Sequence, residues 1–186
     1  MVEYNEVNYW GGRSRPNQET IAPRIFSNYI AESIKGCIDL LEFGPGVGRM
    51  FELYQDREEV HCFDIHRSYF KECKKEAKKY GFKISFTVCP EIGFTLFNDK
   101  EFDVVVCSQV LLHQKHESIA KVMKELARIG KKIVCISLKY DPNGPELRPH
   151  CFFHDYKDIC SQNGWHYYNE VLTKSNVCFT YEAAGQ

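Results

Sequence analysis

Apolar and polar positions along this chain alternate between two textures. Short apolar runs of about five to eight residues are separated by stretches in which apolar side chains recur every three or four positions. The first texture predicts strands near Ile38–Phe43, Val60–Asp64, Lys83–Val88, Asp103–Ser108, Lys132–Leu138, Trp165–Leu172 and Val177–Tyr181. The second predicts helices at about Arg49–Gln55, Arg67–Tyr80, Glu117–Ile129 and Asp155–Asn163, with a further helix upstream at Asn17–Lys35. Gly81 and Gly130 follow two of these helices, where a glycine commonly ends the helical path. Strand–helix alternation of this kind specifies a parallel sheet covered by helices on both faces. The last two strands are separated only by Thr173–Asn176, so an antiparallel hairpin is expected to finish the sheet.

One junction departs from a generic strand-to-helix turn. Cys37-Ile-Asp-Leu-Leu-Glu42-Phe-Gly44-Pro45-Gly46-Val-Gly48-Arg49 places an acidic residue at a strand end and three alternating glycines before the next apolar pattern. Backbone this bare lets a ligand lie against it. The dinucleotide fingerprint G-x-G-x-x-G would need its third glycine where Arg49 stands, so a dehydrogenase is disfavoured. With no pyrophosphate to cradle, the loop suits a smaller adenosyl ligand, for which Glu42 stands ready as an acceptor.

Composition narrows the class. At 186 residues the chain is expected to be one domain. A net charge of -1 leaves no electrostatic footprint for nucleic acid. The lysines from Lys71 to Lys79 alternate with Glu72 and Glu76, as a solvated helix face would. Nine cysteines include no C-x-x-C pair, and Cys37, Cys62, Cys107, Cys135 and Cys178 sit in apolar runs, which suits reduced thiols in a cytoplasmic protein. No signal peptide or membrane-spanning stretch is expected.

The glycine segment resembles motif I of the class I S-adenosylmethionine-dependent methyltransferases, and the strand–helix order resembles that family from residue 37 onward. The resemblance implies a Rossmann-like, seven-stranded, mostly parallel α/β sheet with an antiparallel last strand. It also implies a single domain in which residues 1–36 form a lid segment and helix and residues 37–186 bind S-adenosyl-L-methionine, leaving S-adenosyl-L-homocysteine. By that resemblance Glu42, Gly44, Pro45, Gly46 and Gly48 hold the methionine part of the cofactor. Asp64, 22 positions after Glu42, would take both ribose hydroxyls with Ile65 beside it; its alternative role is to cap the helix starting near Arg67. Glu91 and Ile92 would meet the adenine, although Cys89-Pro90 before them is unusual. The stretch from Phe102 to His113 resembles motif IV, so Ser108 and Gln109 at the end of strand four would line the methyl-transfer site, although the N/D-P-P-Y/F tetrapeptide of amino-methylating enzymes is missing.

Methyl transfer from a sulfonium mainly requires alignment and at most a weak base. The catalytic candidates are His113, after strand four, and His154, in His150-Cys151-Phe-Phe-His154-Asp155-Tyr156. His154-Asp155 is expected to open a helix. His150, Cys151 and His154 suggest metal ligation, but no second pair of ligands is close in sequence, so no metal is expected. The favoured reading is methyl transfer to a small molecule, with Tyr9, Trp10, Arg13, Arg15 and the loop at 141–150 available to select it. The alternatives are a protein or RNA acceptor and a catalytically silent cofactor-binding partner subunit. Nucleic acid and membrane are not expected partners, and the oligomeric state leaves no trace in the sequence.

Overall fold

The computed structural model describes residues 24–89, 95–141 and 149–183. The chain runs α1 (Arg24–Ile34), β1 (Leu40–Phe43), β2 (Glu59–Asp64), α2 (Phe70–Tyr80), β3 (Lys83–Val88), β4 (Phe102–Ser108), α3 (Ile119–Ile129), β5 (Gly130–Leu138), α4 (Tyr156–Gln162), β6 (Trp165–Leu172) and β7 (Asn176–Ala183). The strands form one sheet in the order β3-β2-β1-β4-β5-β7-β6. All neighbours up to β5 are parallel, while β7 runs antiparallel between β5 and β6. The expected seven-stranded α/β sheet with its reversed last strand is therefore present.

Alternation along the buried strands feeds two cores. Leu41, Phe43, Val105, Cys107, Ile133, Cys135 and Phe179 point to one face and pack with the apolar side of α3. Leu40, Val104, Val106, Val134, Ile136 and Cys178 point to the other and pack with α1 and α2. Strands covered on both faces carry continuous apolar runs, which is why the central ones were readable. No helix among the described residues is long and apolar enough to cross a membrane. All nine cysteines are free thiols.

Four expectations change. Ile38 is 82% exposed and Cys37 lies ahead of the strand, because β1 begins only at Leu40. The helix expected at Arg49–Gln55 is a single 3-10 turn, Phe51–Tyr54. Helix α2 begins at Phe70, three residues later than Arg67, so Asp64 is too far upstream to cap it. Gly81 does end that helix in the left-handed conformation (φ 86°). Gly130 does not play the same role: its backbone is extended, and it opens β5 opposite Phe102. A Cβ there would come within 2.6 Å of Ile133 and 2.7 Å of Val105, so close packing, not a turn, requires this glycine. Asp155 caps α4 as expected, accepting from the Asp158 N–H at 3.0 Å.

Candidate functional site

The chain leaves β1 toward β2 and β3 on one side and returns to β4 on the other. That reversal marks the place, beyond the carboxyl ends of β1 and β4, where open α/β sheets hold ligands in a crevice. The glycine loop lines it. Gly44, Gly46 and Gly48 all have positive φ (73°, 55° and 82°). The Gly44 N–H donates to the Phe63 carbonyl at 2.7 Å, tying the loop to β2. A Cβ on Gly44 would stand 2.4 Å from a Val110 methyl, so the segment after β4 abuts the loop directly. Nothing among the described residues comes within 4 Å of a Cβ on Gly46, which leaves its backbone open on the crevice side. Pro45 is buried within the loop.

Glu42 lies beneath this loop. It is 1% exposed, and it accepts the hydroxyl hydrogen of Tyr54 from the 3-10 turn. Burial pushes its carboxyl up to about 8, against the pull of the Tyr54 hydroxyl and the Arg49 charge. Tyr54 was not singled out by sequence. The available signal was indirect: an acidic residue in a strand buried on both faces must find a donor.

Asp64 ends β2 beside the loop and is half-buried. Its Oδ1 accepts from the His66 N–H at 3.1 Å, and the Ile65 and Gly46 N–H groups also point to the carboxylate. Desolvation raises its carboxyl to about 6, with these N–H groups opposing the rise. It is therefore ionised at neutral pH, and three backbone donors fix its orientation. A carboxylate offers about four acceptor sites, so capacity for hydroxyls remains. Ile65 is half-buried next to it. Glu91 and Ile92 lie outside the described residues, as do Tyr9, Trp10, Arg13, Arg15 and residues 142–148.

Ser108 closes β4, half-buried and opposite Ile136. Gln109 follows with positive φ (60°), held by its N–H on the Ile136 carbonyl at 2.8 Å. Its side-chain amide reaches Asn176 on β7 at 3.3 Å, which aims it along the sheet edge toward β7.

The histidines come together from two distant segments. Phe152 N–H donates to the Leu112 carbonyl at 2.8 Å, and His154 Nε2 donates to the Gln114 carbonyl at 2.9 Å. His113 Nδ1 lies 2.7 Å from the His150 carbonyl oxygen. A carbonyl only accepts, so Nδ1 carries the proton and the ring's lone pair stands on Nε2. His154 is 3% exposed, and burial lowers its pKa to about 4, so it is neutral throughout the physiological range. His113, His150 and Cys151 each bring one ligand-type atom within 4.8 Å of the others. This grouping takes in His113 and leaves out His154, unlike the trio that adjacency in sequence suggested.

A methyltransferase domain model matches residues 40–132, from the start of β1 into β5. No curated protein sequence matches the chain. Among solved structures, an S-adenosylmethionine-dependent methyltransferase from Clostridium acetobutylicum aligns with TM-score 0.70 and 12% identity, covering 89% of this chain and 94% of that one. The magnesium protoporphyrin IX methyltransferase from Synechocystis, solved with bound SAH, aligns with TM-score 0.67 and 18% identity, covering 95% and 92%. The 1,6-didemethyltoxoflavin-N1-methyltransferase from Burkholderia thailandensis aligns with TM-score 0.66 and 13% identity over 87% and 78%. With the domain match spanning β1 to β5 and the same fold throughout, the chain belongs to the methyltransferase-domain family of class I, S-adenosylmethionine-dependent architecture.

Proposed function

We propose that this methyltransferase transfers the methyl group of S-adenosylmethionine to a small-molecule acceptor. The observation that carries the reading is the open backbone at Gly46 with the oriented Asp64 carboxylate beside it, at the reversal point of the sheet. Gly44, Pro45, Gly46 and Gly48 shape the bed for the methionine part. Asp64 takes the ribose hydroxyls with Ile65 against the sugar. Glu42 supports the bed from beneath through Tyr54. Ser108 and Gln109 form the wall next to β4.

The cofactor supplies an electrophilic methyl carbon on a sulfonium, and the protein's part is to align an acceptor in line with the carbon–sulfur bond. His113 is suited to receive the acceptor's proton, because the His150 carbonyl holds the proton on Nδ1 and so places the ring's lone pair on Nε2. His154 is suited to positioning: buried, neutral and bonded to Gln114, it holds the 150–154 segment against the 111–114 segment.

Two observations favour a small acceptor. The net charge of -1 provides no attraction for RNA. Two of the similar structures are named for methylating small molecules, magnesium protoporphyrin IX and 1,6-didemethyltoxoflavin. The test is to incubate the purified protein with methyl-deuterated S-adenosylmethionine and cell extract, then separate metabolite, protein and RNA fractions. Label in the metabolite fraction is expected. Label confined to protein or RNA refutes the acceptor class, and cofactor binding without label in any fraction establishes a silent partner subunit instead.

A further inference from the structure

The crevice accounts for the glycine loop and Asp64, but not for the meeting of two imidazoles and a thiol at its β4–β5 side. His113 belongs to the 3-10 turn Leu111–His113 that follows β4, and His150-Cys151 lies 37 residues further on, after β5. The two segments are pinned by main-chain and side-chain hydrogen bonds on either side of the cluster, Phe152 to Leu112 and His154 to Gln114. The rings of His113 and His150 stack at 5.4 Å between centroids, and Cys151 Sγ stands 3.8 Å from His113 Nδ1. We propose that His113, His150 and Cys151 form a three-ligand site for a divalent cation of the zinc type.

The chemistry of the donor set selects the ion. Two neutral imidazoles and one thiolate suit zinc or cobalt(II) and not magnesium or calcium, which take oxygen ligands. Bond lengths of about 2.0–2.1 Å to nitrogen and 2.3 Å to sulfur put tetrahedral ligand atoms about 3.3–3.6 Å apart. The three ligand-type atoms already lie within 4.8 Å of one another, so side-chain rotations of about 1 Å close the set. Nδ1 is the ring atom that stands near Cys151 Sγ, so a cation bound there would displace the Nδ1 proton from its bond to the His150 carbonyl. Sites with three protein ligands take water or an incoming molecule in the fourth place. Its occupant would be water or the hydroxyl or thiol of an acceptor. A cation on Nδ1 leaves the ring proton on Nε2, so His113 acts as a base only in the metal-free protein.

Cobalt(II) is the probe, because a thiolate ligand gives it a near-ultraviolet charge-transfer band. Chelator-treated full-length protein is titrated with cobalt(II), and bound ion is then displaced with zinc. A saturable band at one ion per chain is expected, abolished by Cys151→Ser. His113→Ala and His150→Ala should each weaken cobalt(II) binding by more than the roughly 10–100-fold that loss of an outer-shell partner costs. Cys37 and Cys89 are the other half-buried thiols, so Cys37→Ser and Cys89→Ser should leave the band intact. Binding of S-adenosylmethionine to each variant is measured separately as a check on folding and on the glycine-loop reading, and it should persist. If one histidine variant fails to fold, the other and Cys151→Ser carry the test. No saturable one-to-one signal in the parent protein, or a band that survives Cys151→Ser, overturns the site.

Discussion

Glu42 makes stability pH-dependent in a window where few other groups contribute. Its carboxyl is lifted from 4.5 to about 8 by burial beneath the glycine loop. A group whose folded pKa is raised takes up a proton on folding between the two values. Its stabilising effect is complete below about pH 4.5 and is lost as pH rises through about 8. At about 1.4 kcal/mol per pH unit, the whole span amounts to about 5 kcal/mol as an upper bound. Below pH 6.5 two other groups interfere: Asp64, raised to about 6, acts in the same direction, and His154, lowered to about 4, acts in the opposite one. Between pH 6.5 and 8 the Glu42 contribution stands clear and falls by roughly 1.5–2 kcal/mol. Urea unfolding at fixed ionic strength reads this as a fall in midpoint of roughly 0.6–1 M, for a slope of about 2–2.5 kcal/mol per molar. Glu42→Gln keeps an acceptor for Tyr54 but cannot ionise, so its midpoint should stay level across the same window. A fall of equal size in the parent and in Glu42→Gln would refute the assignment, as would a parent midpoint that does not move.

Three further expectations use the same structure. Gly44→Ala combines a φ of 73° with a Cβ 2.4 Å from Val110, so it should lower stability by about 2–4 kcal/mol, seen as a melting temperature reduced by roughly 4–16 °C; Gly46→Ala meets open space and should lose less stability but more S-adenosylmethionine affinity. Asp64→Asn removes a charged acceptor and should weaken that affinity by about 10–100-fold in calorimetry, and a change under about threefold would exclude the ribose role. Glu125 accepts from the Thr95 N–H at 2.7 Å, the Thr95 hydroxyl at 2.6 Å and Arg128 at 2.8 Å, so Glu125→Ala should cost about 2–4 kcal/mol in chemical denaturation by leaving those donors unpaired.

What the sequence disclosed about this fold depended on the range over which each signal acts. Strands β1, β4 and β5 are buried on both faces, so each appears as a local apolar run, and the glycine spacing is a local requirement of positive φ. The errors are equally local in origin. Arg49–Gln55 has helical periodicity, yet a 3-10 turn suffices to bring Tyr54 under Glu42 and Phe51 against the loop; a Cβ on Gly48 would lie 2.7 Å from the Phe51 ring. Gly130 follows a helix in sequence, but its need for a missing side chain comes from Val105 on the neighbouring strand. The acceptor side was least legible because its geometry is wholly long-range.

Neither His113 nor Cys151 carries a local mark of the other; they meet because β4 and β5 are adjacent parallel strands whose carboxyl ends open on the same edge. That same adjacency explains a division of labour across the crevice. The β1–β2 side offers backbone N–H groups and carboxylates, suited to a polar, charged cofactor. The β4–β5 side offers imidazoles, a thiol and aromatic rings, suited to a proton, a soft cation or a planar acceptor. If the donor lies on the β1–β2 side as proposed, the β4–β5 side is where the chemistry of the acceptor would be selected.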